Sequence, residues 1–488
     1  MIWPFSRKKS IKQTNSGPRR AYAAATTNRL SADWNAPTST ADMELKSALR
    51  ILRNRSRDLE RNNDYIRRYF NLLIENVIGH KGIGLQVRAV GGDGRPDQYA
   101  NRLIEGKWRE WGRKGCTVCG RFTWLDAQRI ILRSMARDGE VLLYFPPKWT
   151  KNSAGFAFQI IEADHLDLEL NTDLGNGNKI SMGVELDSFN SPVAYHILTR
   201  HPAETATQMT SKFRRRFPAE NIIHLRRPER IDETRSAPWI TSVANRLRQI
   251  SAAEEAEVIA WRIAASKMGF YIPGDDSTYD GDDEDDSGNP IQEAEPGFFE
   301  KLKKGWDFKD WNPDKPVSTV ESFLKAELRG VASGLNVSYV ALANNLEGVS
   351  FSSIRSGELA DRGAWRAIQS LMIEHLCQPV FDRWLKMSLT TGFIPLPPGK
   401  LDKFNSAVWR PRGWEWVDPS AESEAAQEDV SNCFKSIYDI AAERGVDFDD
   451  VIEANREAKA KAEAAGLVIP AFTPKEQQNG PNPKKTEQ

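Results

Sequence analysis

Two clusters combine residue types and spacings that chemistry could use. Cys116-Thr117-Val118-Cys119 has the two-residue gap of a zinc or dithiol pair, but no second pair and no His-x-His spacing completes four ligands. The reading that remains is a turn ahead of a helix over Phe122 to Met135. The other cluster is acidic: Asp275, Asp276, Asp280, Asp282, Asp283, Glu284, Asp285 and Asp286, with Gly and Ser among them. A calcium loop needs carboxylates in an Asp-x-Asp-x-Asp-Gly register and a closing Glu, and neither is present. The block reads as a solvated insertion, or as a segment that binds a partner or repels DNA. No Gly-x-x-x-x-Gly-Lys-Ser/Thr loop cradles phosphate, and the six histidines form no Ser-His-Asp or His-Glu-x-x-His arrangement. No catalytic residue, cofactor or metal is assigned, and the chain reads as a protein that is not an enzyme.

A third stretch, Asn344 to Ser353, is polar and nearly uncharged, and it joins two helical patterns. Before it, Ser318 and Glu321 have capping-box spacing, and Val320, Phe323, Leu324, Leu328 and Val331 recur every three or four residues. After it, Trp365, Ile368, Met372, Leu376 and Val380 keep that period up to Thr391-Gly392, with a bend expected at Pro379. Asn344, Asn345, Ser350, Ser352 and Ser353 can donate hydrogen bonds to phosphate without carrying charge, so each contact is weak and exchangeable. Glu347 would repel phosphate. The same residues also suit an ordinary polar connection between helices.

The elements that must hold these stretches are legible from composition and period. The chain has 488 residues, 40% of them hydrophobic, which is enough for a substantial core and too long for one simple domain. Lys+Arg 67 against Asp+Glu 67 leaves no net charge, which is compatible with a conduit for nucleic acid and awkward for a clamp. Four cysteines make no secreted disulfide framework, and a reducing, cytoplasmic origin is expected. No apolar run is long enough to span a bilayer, so no membrane association is expected. Residues 1–25, with Arg7, Lys8, Lys9, Lys12, Arg19 and Arg20, read as a disordered basic arm. Two helical segments flank Asn62-Asn63-Asp64. Short strands then fill Ile83 to Leu225, interrupted by one helix over Leu125 to Arg137, which makes an α+β body. A rod-like helix follows Pro238 toward Ala265. Val430, Phe434, Ile437 and Ile440 give one face of a later helix, Asp447 to Ala464 a second, and residues 471–488 a disordered tail.

Several blocks, taken in order, resemble the lambda-type portal proteins of tailed bacteriophages. They are Arg61-Asn62-Asn63-Asp64-Tyr65, Arg137-Asp138-Gly139-Glu140, Ile161-Glu162-Ala163-Asp164-His165-Leu166, and Pro218-Ala219-Glu220-Asn221-Ile222-Ile223-His224. Further on come Phe323 to Arg329, Gly334 to Tyr339, Phe351 to Arg355, Trp416-Val417-Asp418-Pro419 and Glu443 to Asp447. The resemblance runs roughly from residue 40 to 466, most of the chain. One departure is Arg227 to Arg235, where the family more often has a glutamine and an Arg-Gly pair ahead of the Pro-Trp step, here Pro238-Trp239.

The resemblance implies an architecture. Residues 26–235 would form the wing, 236–268 and 317–342 the two stem helices, and 269–316 the clip carrying the acidic insertion 275–288. Residues 343–352 would be the tunnel loop facing DNA, 353–405 the helix returning to the wing, and 406–470 the crown. Asp282, Asp283, Glu284, Asp285 and Asp286 become candidates for partner binding at the clip. Family members form rings, typically dodecamers, at one capsid vertex of the virion, assembled in the host cytoplasm. Double-stranded DNA is packaged and ejected through them, and terminase, head-completion or tail connector, capsid and scaffold proteins are the implied partners. A monomeric nucleic-acid-binding adaptor and a packaging enzyme are the alternatives from other classes.

Overall fold

The computed structural model describes residues 29, 38–113, 115–175, 177–204, 212–265, 269–272, 307–310, 317–348, 350–414, 419–446 and 448–467. The expected basic arm and C-terminal tail lie outside the described residues. Thr40 accepts from Met43 N and caps α1 (Ala41–Asn62), whose first turn carries Asp42 and Glu44 against the helix dipole. Asn63 breaks the helix as its composition predicts, and its side chain accepts from Ile66 N to start α2 (Asp64–Leu73). A π-turn, Ile74–Ile78, ends at Gly79.

β1 (Gly84–Val87) pairs antiparallel with the distant segment Ala407–Arg410, which closes the chain's two halves on each other. The next element, α3 (Gln98–Arg113), corrects the expectation of a single helix between Ile83 and Leu225. Its buried stripe, Ala100, Ile104, Trp108 and Trp111, has helical spacing, but Gly106, Gly112 and the charged residues between dilute the signal. α4 (Trp124–Asp138) is opened by a capping box between Thr123 and Asp126. β2 (Glu140–Tyr144) is the centre of a three-stranded antiparallel sheet between β3 (Gln159–Glu162) and Ile222–Arg226. A five-stranded meander follows in sequence order, β4 (Thr172–Asp173), β5 (Lys179–Ser181), β6 (Val184–Leu186), β7 (Pro192–Leu198) and β8 (Arg214–Pro218). Ile222–Arg226, the third strand of the first sheet, is β9.

The rod expected from Pro238 becomes helical only at α5 (Ala244–Ala265), after a hydrogen-bonded turn over Pro238–Val243. β10 (Gly269–Ile272) and β11 (Asp307–Asp310) pair as an antiparallel ribbon, and α6 (Val317–Gly334) returns along α5. Arg246 meets Glu327 at 3.2 Å, and Gly334 brings the helices close, since a Cβ there would lie 2.5 Å from Val243 Cγ1. Past the short α7 (Tyr339–Ala343), α8 (Phe351–Met372) runs through a π-turn, Ile373–Cys377, into α9 (Gln378–Thr390). The wide turn sits directly before Pro379, where the missing N–H would otherwise interrupt the ladder. α10 (Leu401–Phe404) and β12 (Ala407–Arg410) lead to α11 (Pro419–Ser431), α12 (Ile437–Glu443) and α13 (Phe448–Ala464). The helix expected through Val430, Phe434 and Ile440 is thus two helices. Cys433 takes a left-handed φ of 56°, and Ser436 with Asp439 caps the second helix afresh.

Aromatic rings fill the centre. Trp108 packs on Trp111, Trp124, Phe381 and Trp384, with Trp108 and Trp384 edge to face at 4.9 Å. Trp365 and Trp384 are buried, the core role that their spacing predicts. Beside this core lies a charged one. Glu140, fully buried, accepts from Arg53 Nη2 and from Arg235 Nε, each at 2.5 Å, and from His224 Nε2 at 2.9 Å. Arg235 also donates to the carbonyls of Met182 (2.7 Å) and Ala163 (3.0 Å), and Arg53 to that of Asp138 (2.9 Å). Buried Asp138 accepts from Arg57 Nε at 2.7 Å, and Arg57 continues to Asp164. The sequence blocks around 137–140, 161–166 and 218–224 therefore meet at this one cluster. Gly139, at φ 88°, ends α4 where a Cβ would stand 2.1 Å from Ser236 O, so only glycine fits.

Burial alone pushes the Glu140 carboxyl up, but Arg235, Arg53 and His224 together hold it well below its ordinary value. Burial outweighs Glu140 at His224 and keeps that imidazole neutral below its usual 6.5. As pH falls below about 6.5 the unfolded chain takes up the proton first, so this stability is complete above that value and is lost beneath it. Glu140→Gln, which strands two buried guanidinium charges, is expected to cost about 3–5 kcal/mol in urea unfolding. Gly139→Ala is expected to cost on the order of 3 kcal/mol. His224→Gln should flatten the fall in melting temperature between pH 6.5 and 5; an unchanged slope would mean that His224 does not set it.

Candidate functional site

α6 stops eight residues short of the expected Leu342 because its end is closed by a Schellman motif. Asn336 takes φ 55°, Asn336 N bonds Ser333 O (3.2 Å), Val337 N bonds Ala332 O (3.0 Å), and buried Val337 seals the turn. Ser338 then starts α7, its hydroxyl accepting from Ala341 N. From α8, Asp361 accepts both Ser338 N (2.8 Å) and the Ser338 hydroxyl (2.7 Å). The half-buried Asp361 carboxyl is pushed up by burial against these two hydrogen bonds. This pair fastens the base of the polar loop to the helix on its far side.

The six polar residues expected to face DNA are adjacent, and the structure gives most of them local work. Asn344 is the left-handed end of α7 at φ 50°. Asn345 Oδ1 accepts from Glu347 N at 2.8 Å, the tight turn that Asn favours, and its Nδ2 lies 3.5 Å from Tyr339 Oη. Ser350 caps α8, accepting from Ser353 N, and its hydroxyl meets those of Ser352 (3.0 Å) and Ser353 (2.8 Å). Asn344, Glu347, Ser350, Ser352 and Ser353 are exposed, with Leu346 at the tip 61% exposed. Glu347 is not a lone negative charge. Lys325 on α6 sits 3.5 Å from it and also pairs with Glu321, the residue expected to cap α6, so the Glu347 charge is partly offset. α6 begins at Val317, which puts Ser318 inside the helix rather than ahead of it.

Cys116 is buried, its thiol 3.2 Å from Phe122 O and pushed up to about 12 by burial, whereas Cys119 is exposed. The pair lies in the turn before α4, and among the described residues no three His, Cys, Asp or Glu side chains group as metal ligands. Asp282, Asp283, Glu284, Asp285 and Asp286 lie outside the described residues. The ribbon of β10 and β11 pairs Ile272 with Asp307, so the chain leaves for that interval and returns from it at neighbouring positions. Sequence reasoning missed Ser338 and Asp361. The Ser before Tyr339-Val340-Ala341-Leu342 is a readable cap, but nothing local announces a partner 23 residues on.

Behind the loop an open cleft of about 2070 Å³ lies between α8, the β1–β12 pair and the last helices, with Arg68, Lys81, Trp365 and Arg444 among its lining. It is larger than a typical small-molecule site. No helix among the described residues is long and apolar enough to cross a membrane.

The sequence profile described as phage portal protein, lambda family, matches residues 27–369. The "Probable portal protein" of Halomonas phage phiHAP-1 is 35% identical over 443 residues, covering 88% of this chain and 85% of that one. "Portal protein B" of Escherichia phage lambda is 20% identical, covering 90% and 89%. Solved chains in "Neck of native GTA particle computed with C12 symmetry" and "Virion of native gene transfer agent (GTA) particle" are similar at 12% identity. Their TM-scores are 0.42 and 0.44; they cover 80% and 86% of this chain, and this chain covers 93% and 98% of theirs. The profile match and the 35% identity across most of both chains carry the assignment: this chain belongs to the lambda family of phage portal proteins.

Proposed function

We propose that the chain is one subunit of a ring at a capsid vertex, that double-stranded DNA is packaged and ejected through the ring, and that the ring docks terminase and head-to-tail connector proteins. Family membership supports the reading, and one physical observation carries it. The distal half of α5 is apolar on more than one side: Val258, Ile259 and Trp261 are 50%, 47% and 59% exposed. Neighbours at 100° per residue cannot all face α6, and Phe323 of α6 is itself 50% exposed. A helix of this kind is normally buried, and flanking copies of the same pair of helices, repeated around an axis, would bury it.

In this reading α5 and α6 are the stem and the interval between β10 and β11 the clip, with its acidic candidates. The body from α1 to β9 is the wing, Asn344 to Ser352 the tunnel loop, and α11 to α13 the crown. The loop, with one partly offset charge, suits sliding, because a charged contact would grip each phosphate in turn and add salt-dependent affinity. Asp361 and Ser338 keep the loop's base fixed while its tip meets the moving DNA.

Wild-type protein is expected to sediment as a large ring without ATPase activity and to bind short duplex DNA weakly at physiological salt. Val258→Asp with Trp261→Asp should leave the fold intact and shift sedimentation to single chains. A ring that persists in this variant removes the observation on which the proposal stands. Deleting Asn345 to Gly348, which spares the Ser350 cap, should preserve ring assembly and lower the yield of DNA-filled particles. Loss of the ring itself would instead make this loop part of the subunit interface.

A further inference from the structure

The chain enters the described fold at Thr38 beside an apolar surface to which no role has been given. Met43 in the first turn of α1, Phe189 in the turn between β6 and β7, and Ile231 in the loop after β9 are 68%, 88% and 102% exposed. Their segments are held to one another by hydrogen bonds. Asn190 Nδ2 donates to Asp232 Oδ1 (3.3 Å), Arg230 donates to Ser39 O (3.1 Å) and Glu44 Oε1 (3.4 Å), and Thr234 N donates to Asp42 Oδ1 (2.8 Å). Three large apolar side chains thus stand on adjoining segments at the point where the preceding chain arrives. Around them Asp42, Glu44, Asp187, Glu229 and Asp232 outnumber Arg230 and Lys46.

The residues before Thr38 have the complementary composition. Met1-Ile2-Trp3-Pro4-Phe5 is wholly apolar, and Arg7, Lys8, Lys9, Lys12, Arg19, Arg20 and Arg29 follow with no acidic residue before Asp33. We propose that residues 1–5 fold back onto the surface formed by Met43, Phe189 and Ile231 of the same chain, with Arg7, Lys8 and Lys9 on its acidic rim. The apolar contact supplies the anchor, and the opposite charges set its direction along the rim. The chain between Phe5 and Thr38 spans up to roughly 100 Å when extended, so reach is not limiting, and tethering holds residues 1–5 near the surface at about millimolar effective concentration. That favours the chain's own segment over one from a separate molecule.

The test uses the full chain. Benzoylphenylalanine in place of Phe189, in a mixture of isotopically heavy and light chains, is expected to cross-link to residues 1–9 of the same chain. Absence of any such cross-link overturns the docking, and cross-links joining heavy to light chains overturn its assignment to the same chain. Phe189→Asp with Ile231→Asp changes only exposed positions, so an unchanged melting temperature is expected. In that variant trypsin should cut after Arg7 to Lys9 about tenfold faster than in the wild type, because docking otherwise restricts local opening. Equal cleavage rates in the two proteins also overturn the proposal.

Discussion

The fold turns on one desolvated carboxylate. Glu140 begins the central strand of the smaller sheet, and two guanidiniums and an imidazole converge on it from α1, β9 and the loop before α5. Burying four ionisable groups is costly unless every donor finds an acceptor. Here the remaining Arg53 and Arg235 nitrogens reach the carbonyls of Asp138, Ala163, Leu166 and Met182. Such an arrangement tolerates one alignment of its parts. A slip of β2 by one residue would turn the carboxylate to the other face of the sheet and leave both arginines without a counter-charge. The cluster therefore ties α1, β2, β9 and the segment ahead of α5 to one another.

The polar loop follows a different rule. Its side chains are used in turn, cap and staple, so its shape is defined without a surrounding core, and Lys325 offsets part of the charge of exposed Glu347. The loop therefore presents hydroxyl and amide groups on a fixed backbone path. Stiffness comes from the base, where Asp361 holds Ser338, and adaptability from the exposed tip.

Much of this was legible in the residues because the signals are local. The Asn63 break, the α4 helix, the strand character of β1 and the long α8 all announce themselves through caps and periods within a few residues. The polar stretch does join helices, but these are the short α7 and α8, and Ser352 and Ser353 belong to the first turn of α8. What escaped detection depends on contacts far apart in the chain. α3 was hidden because its four-residue stripe is interleaved with glycines and charged residues, and the packing of Trp108 against Trp384 shows which face is buried. The end of α6 was missed because Asn336 looks like one more polar helix position until it adopts a left-handed φ. The convergence of three sequence blocks on Glu140 could not be read at all, since they share no local pattern, only a destination.

The ribbon of β10 and β11 closes on itself. With Ile272 and Asp307 opposite each other, the ends of the interval they enclose are clamped a strand's width apart, whatever lies between them. Length and composition there are uncoupled from the helices that carry it, as a tool head is from its shaft. Residues between those two ends can change in number and type while the pairing that joins the strands to α5 and α6 is kept.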